Sequence, residues 1–177
     1  DMTGGPAAGI DPVRLARLLL PCVFVFLCLF HYASGRPFWL DERSIFNQIR
    51  AVGPLELFGP LGSQAFPRVY LIMVQAIGRA GGFNVFTLRI LPLIAMTGAF
   101  FLWARIWRKE EGKGPWYALF LLSWCGSKFM SYYASELKQY SGELLISGLF
   151  TCFILGQRKD PSPGRAALYF VMPFAVL

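Results

Sequence analysis

Along this chain, uncharged apolar runs alternate with short polar stretches, and the length of each run sets what it can form. Residues 18–35 carry no Asp, Glu, Lys or Arg and follow Arg14 and Arg17. With its flanks this run reaches the roughly 20 residues a helix needs to cross the hydrocarbon core. Basic residues before an apolar core also describe a signal peptide, but His31-Tyr32-Ala33-Ser34-Gly35 makes a poor cleavage site, so a retained first transmembrane helix is expected. Residues 36–88 form a long connection broken at Gly53-Pro54, Gly59-Pro60 and Gly62. Within it, 44–52 predicts one or two turns of amphipathic helix with Ile45, Ile49 and Val52 on one side. Residues 69–78 are uncharged but too short to span, which predicts an interfacial helix ended by Arg79-Ala80-Gly81-Gly82. A tilted span over 67–88 is the alternative.

A second span is expected over 90–104, starting near Phe83 or Arg89 and running into Arg105, Arg108, Lys109, Glu110, Glu111 and Lys113. Residues 114–127 return as a third span, and 128–142 are polar and aromatic. Residues 144–157 form a fourth apolar run. Arg158, Lys159 and Arg165 make a further basic loop around Pro161-Ser162-Pro163-Gly164, and 166–177 begin a fifth span that the sequence leaves unfinished. The start at Asp1 and the end inside an apolar run read as a piece of a longer chain. The expected architecture is all-α and polytopic, with about four to five transmembrane helices and interfacial helices in the first external loop. It divides into a cytoplasmic segment (1–14), a transmembrane module (15–165, external loop 36–88) and a truncated helix (166–177).

Composition agrees with a membrane setting: 55% of residues are hydrophobic, 17 are Phe, and mean hydropathy is +0.49. The net charge of +7 does not form one basic face. The cations gather between apolar runs, as the positive-inside rule asks, so the basicity reads as orientation and not as a nucleic-acid footprint. Arg14 with Arg17, the 105–113 loop and the 158–165 loop then share the cytoplasmic side. The loop carrying Asp41 and the 128–142 stretch share the opposite, external or luminal side. Cys22, Cys28, Cys125 and Cys152 all fall in apolar runs without metal-ligand spacing, and the single histidine, His31, has no second ligand near it in sequence. They read as reduced apolar packers, and no cofactor is expected. A divalent cation between two carboxylates is conceivable chemically but not indicated.

Candidate chemistry lies in two polar clusters on the same expected side. Asp41 and Glu42, in Phe38-Trp39-Leu40-Asp41-Glu42-Arg43, place adjacent carboxylates at a membrane boundary. Burial and a like-charged neighbour would raise one of them, which suits a general base. The plainer reading is an interfacial charge cluster whose Asp caps a helix. The second cluster spans Ser131 to Glu143 and includes Tyr133, Glu136, Lys138 and Tyr140. If helical, it puts Tyr132, Glu136, Tyr140 and Glu143 on one stripe. Such groups line cavities or paths more than they decorate an aromatic belt.

Three features in this order resemble a known family: the aromatic-x-Asp-Glu motif of Phe38 to Glu42, the Arg89-Ile90-Leu91-Pro92 element, and the Tyr133 to Tyr140 segment, Tyr-Ala-x-Glu-x-Lys-x-Tyr. Over residues 15–165 the chain resembles the amino-terminal half of GT-C-fold membrane glycosyltransferases. Within that fold it is similar to the bacterial branch of the dolichyl-phosphate-mannose–protein mannosyltransferases, which includes aminoarabinose transferases acting on lipid A. The resemblance implies transfer of a sugar, with inversion, from a polyprenyl phosphate donor to an acceptor on the external face of the membrane, in bacteria the inner membrane. It implies Asp41 as general base with Glu42 beside it, and Tyr133, Glu136 and Tyr140 near substrate. A departing phosphate needs cations, and Lys138, Arg89 and Arg68 are the available ones. Relatives often carry Lys-Pro-Pro-Leu where this chain has Ala65-Phe66-Pro67-Arg68, and the Arg-Leu-Pro element here has an Ile inserted. A non-catalytic subunit that packs against partner membrane proteins and lipids is the competing expectation. A transporter or channel would want charges near the middle of its spans, and here they gather at the ends.

Overall fold

The computed structural model describes residues 11–59, 66–110 and 114–157. The basic stretch 158–165 and the expected fifth span, 166–177, lie outside the described residues, as do residues 1–10 of the expected amino-terminal segment. All regular structure among the described residues is helical. Helix α1, Pro12–Ala33, begins where Asp11 Oδ1 accepts the Val13 N–H at 3.0 Å and Pro12 fills the first turn, where its missing N–H costs nothing. Arg14 and Arg17 therefore lie inside the helix and not ahead of it. Gly35, at φ +57°, then turns the chain out of the helix in a conformation glycine adopts without strain.

The expected external loop is more ordered than its glycines and prolines suggest. Helix α2 runs Leu40–Ala51, a longer element than the one or two turns predicted over 44–52. A 3₁₀ turn follows at Glu56–Phe58, and helix α3 spans Arg68–Gly81. Gly82, at φ +88°, ends α3, which excludes the single tilted span over 67–88. Gln75 of α3 donates through Nε2 to the carbonyls of Ile49 (2.7 Å) and Val52 (2.8 Å), satisfying acceptors that the end of α2 leaves open. Ile45, Ile49, Leu57, Leu71, Val74, Leu88 and Leu137 close a small core beneath these elements.

Helix α4, Val85–Glu110, is the central element; α3, α1, α5, α6 and α7 all pack on it. Helix α5 covers Pro115–Gly126, α6 covers Lys128–Tyr133, and α7 covers Tyr140–Gln157. The second core joins α1, α4, α5 and α6 through aromatic rings: Phe24 stacks on Phe100 at 4.4 Å between centroids, and Trp124 meets each edge-on at 5.5 Å. Two helices, α1 and α4, are long and apolar enough to cross a membrane. Most of α1 is unburied, with Leu18, Phe26 and Phe30 at least 60% exposed.

Two expectations are corrected. The third span, 114–127, is realised as the 12-residue α5, about 18 Å long at 1.5 Å per residue and short of a hydrocarbon core of about 30 Å. Its helix stops at Ser127, whose extended backbone and side-chain oxygen, accepting from Met130 N at 3.4 Å, restart the chain as α6. The single helical stripe of Tyr132, Glu136, Tyr140 and Glu143 does not form, because residues 134–139 are turns between α6 and α7. The N–H groups of Ser135 and Glu136 close tight turns on the carbonyls of Tyr132 and Tyr133.

Candidate functional site

Capping chemistry explains why α2 begins where it does. Glu42, at the third helical position, accepts the Trp39 N–H through Oε2 at 3.0 Å, so the helix starts at Leu40 and Asp41 does not serve as its cap. The same Oε2 receives Arg89 Nη2 at 2.8 Å, and Oε1 receives the Leu137 N–H at 2.5 Å. Glu42 and Arg89 are 0% and 1% exposed. One carboxylate thereby joins the start of α2, the start of α4 and the turn region 134–139. Arg89 adds a hydrogen bond from Nη1 to the Arg36 carbonyl at 2.7 Å, and its guanidinium lies 5.2 Å from the Phe38 ring.

This geometry separates the two neighbouring carboxylates, since successive helical positions point about 100° apart. Burial falls on Glu42 and not on Asp41, the residue that the resemblance implies as the base. Asp41 keeps a side chain 57% exposed and pairs with Lys138, Oδ2 to Nζ 3.3 Å. Arg89 is also reassigned: it is enclosed and committed to Glu42, and it is not an accessible cation for phosphate. Lys138 is. Partial burial works against its ammonium, yet the Asp41 hydrogen bond and the charges of Glu136 and Asp41 outweigh it and hold Lys138 above its ordinary range.

Glu136 sits behind Lys138, 6% exposed, with Oε2 buried and unpartnered. Burial, reinforced by the charge of Glu42, raises its carboxyl above the usual range; Lys138, a Tyr132 hydrogen bond and Arg36 oppose that shift. Tyr133 and Tyr140 lie together, ring centroids 5.0 Å apart, and Lys138 Nζ is 5.8 Å from the Tyr140 ring. Arg68 stands apart: among the described residues no hydrogen bond or ion pair joins it to the cluster, and its Nη1 is buried without a partner.

Sequence reasoning missed Arg36. Its guanidinium lies 3.9 Å from the centre of the Tyr132 ring and donates from Nη2 to Ser135 Oγ at 2.7 Å. An arginine between Gly35 and Pro37, directly after an apolar helix, was the available signal. Tyr70 was missed as well. It is buried on α3 with its hydroxyl making no hydrogen bond among the described residues, and burial with the nearby Glu42 charge pushes that hydroxyl's pKa upward. Tyr70 opens onto a groove of about 190 Å³ between α3, α4 and the start of α7, walled by Met73, Leu91, Ala95 and Ile146, with Gln139 and Glu143 also lining it.

The cluster alternates charge outward from a fixed core: Glu42 with Arg89 inside, Glu136 and Arg36 next, Lys138 and Asp41 at the surface. Among the described residues no three side chains of metal-ligating type come together. The Asp41–Lys138 pair sets a carboxylate against an ammonium, and Gln139, the next residue after Lys138, lines the apolar groove. Comparison with protein-family models, with curated proteins and with solved structures gives no match.

Proposed function

We propose that this chain is a membrane-embedded module of a lipid-linked sugar transferase, with Asp41 as general base and Lys138 as the cation for the donor phosphate. The observation that carries this reading is the Asp41–Lys138 pair, 3.3 Å apart with Asp41 exposed and Lys138 half-buried, mounted on the enclosed Glu42–Arg89 frame. The lengths of α1 and α4 and the unburied apolar surface of α1 support the membrane setting. The cations Arg14, Arg17, Arg105, Arg108 and Lys109 at one end of these helices support a reading in which that end is cytoplasmic and the carboxylate cluster faces the external side of a polytopic protein. By the resemblance of its motifs, that membrane is the bacterial inner membrane.

The chemistry follows from the pair. A polyprenyl phosphate sugar lays its apolar tail in the groove beside Tyr70 and brings its phosphate to Lys138. Charge-assisted hydrogen bonds to the phosphate draw the ammonium off Asp41 and stabilise the leaving group. The freed carboxylate accepts the proton of an acceptor hydroxyl as that oxygen attacks the anomeric carbon. The carbon–phosphate oxygen bond breaks with inversion, and the phosphate departs with the bonding electrons.

Transfer from radiolabelled sugars on polyprenyl phosphate, by the purified membrane protein, tests this reading. Asp41→Asn should lower transfer by about 10²–10⁴-fold, the range expected for losing a general base, with thermal stability unchanged. Full activity in that variant would refute the assignment. The second reading, a scaffold subunit packing against membrane partners, is favoured by one observation: Glu42 and both terminal nitrogens of Arg89 are engaged by groups of the protein itself. Absence of both transfer and donor binding in the wild type would select it.

A further inference from the structure

At the end of the bundle opposite Asp41, a cleft of about 450 Å³ opens between the start of α1, the end of α4 and the start of α5. Its walls are Asp11, Arg14, Arg17, Leu18, Arg108 and Tyr117. Arg14 and Arg17 lie three residues apart, on one face of α1. Arg108 reaches the same cleft from the last turn of α4. Among the described residues none of the three guanidinium groups has an ion pair or a side-chain hydrogen bond. Among the described residues Arg17 Nε is buried with no hydrogen-bond partner.

Electrostatically this arrangement is unbalanced. Among the described residues that line it, three cations face one carboxylate, and that one, Asp11, is already engaged as the cap of α1. The amino-terminal ends of α1 and α5 add positive potential at the same place, and only the end of α4 opposes it. Like charges brought together in a partly enclosed cleft repel unless an anion joins them. Planar guanidinium forks converging from two helices suit a group with several acceptor oxygens in tetrahedral array, which a phosphate provides. Leu18, 65% exposed, continues the wall away from the arginines and supplies an apolar surface directly beside them.

We propose that Arg14, Arg17 and Arg108 form a phosphate-binding site at the end of the bundle remote from the carboxylate cluster. The shared chemistry is a phosphate group, carried either by an anionic phospholipid headgroup or by a free phosphate. The lipid source rests on the reading of the chain as membrane-embedded, while the free-phosphate source does not. A lipid held here would anchor the cytoplasmic ends of α1, α4 and α5, independently of any sugar transfer.

Binding is measured on the full chain in detergent by native mass spectrometry, against phosphatidylglycerol, phosphatidylcholine and inorganic phosphate. The expected result is retention of phosphatidylglycerol over phosphatidylcholine, reduced about tenfold in Arg17→Gln and in Arg108→Gln, the scale of losing a charge-assisted hydrogen bond. Arg17→Lys keeps the charge and should recover part of that loss, which separates a lost ligand contact from a misfolded helix. Lys109→Gln removes an equal charge outside the cleft and should leave binding unchanged. Binding of inorganic phosphate with the same arginine dependence, and no preference between the lipids, would establish the site with a soluble occupant. Equal retention of all three ligands, or a loss in Lys109→Gln as large as in Arg17→Gln, would overturn it. None of these readouts depends on Asp41 or on transfer activity.

Discussion

At the scale of single residues, Glu42 and Asp41 show how one peptide bond separates architecture from reactivity. Glu42 is fully enclosed and accepts from three donors, so removing its charge leaves Arg89 buried without a counter-ion. Breaking one side of a buried pair costs about 3–5 kcal/mol. Glu42→Gln should therefore lower the unfolding midpoint in detergent markedly, and a midpoint equal to wild type would show that the frame does not hold α2, α4 and the 134–139 turns together. Glu136 gives the pH dependence. Its folded-state carboxyl holds a proton more tightly than the unfolded chain does, so the folded state binds more protons and stability falls as pH rises. That loss begins near the ordinary value of 4.5 and is complete above the raised one. Glu136→Gln, which cannot ionise, should flatten this slope and raise the midpoint at neutral pH. Thermal melts of both proteins between pH 4 and 8 check it, and parallel curves would refute the role of Glu136.

At the scale of elements, the contact of α4 with α7 depends on a missing side chain. A Cβ at Gly148 would stand 2.9 Å from Leu102 Cδ2 and 3.0 Å from Trp103 Nε1, closer than packed atoms tolerate. Small residues at such crossings let backbones approach, and the Trp103 indole N–H uses that approach to donate to the Leu144 carbonyl at 3.2 Å. Gly148→Leu should push the helices apart and destabilise by about 1–3 kcal/mol, as overpacking does. A melting midpoint unchanged by that substitution would mean that α7 is free to shift along α4. The order of the helices was legible in the apolar runs. Their lengths were not, because α5 stops at Ser127, where a side-chain oxygen competes with the helix for backbone N–H groups.

At the scale of the whole molecule, the two ends of the bundle carry opposite chemistry. One end gathers carboxylates with their partners around α2 and the 134–139 turns; the other gathers arginines of α1 and α4 that form no ion pair among the described residues. By itself the sequence determined the helical character of the chain, the positions of α1 and α4, and the polar stretches at the ends of the apolar runs. Run length, turn residues and charge placement are local properties, and they act before any packing. Only the tertiary structure decided which carboxylate is enclosed, that Arg89 belongs to the frame, and that the 128–142 cluster is broken by turns. Those outcomes depend on donors far away in sequence: Arg89 and the Leu137 N–H meet Glu42 across 47 and 95 residues. No local pattern carries that information, because burial and pairing of a charge are fixed by which elements pack against it.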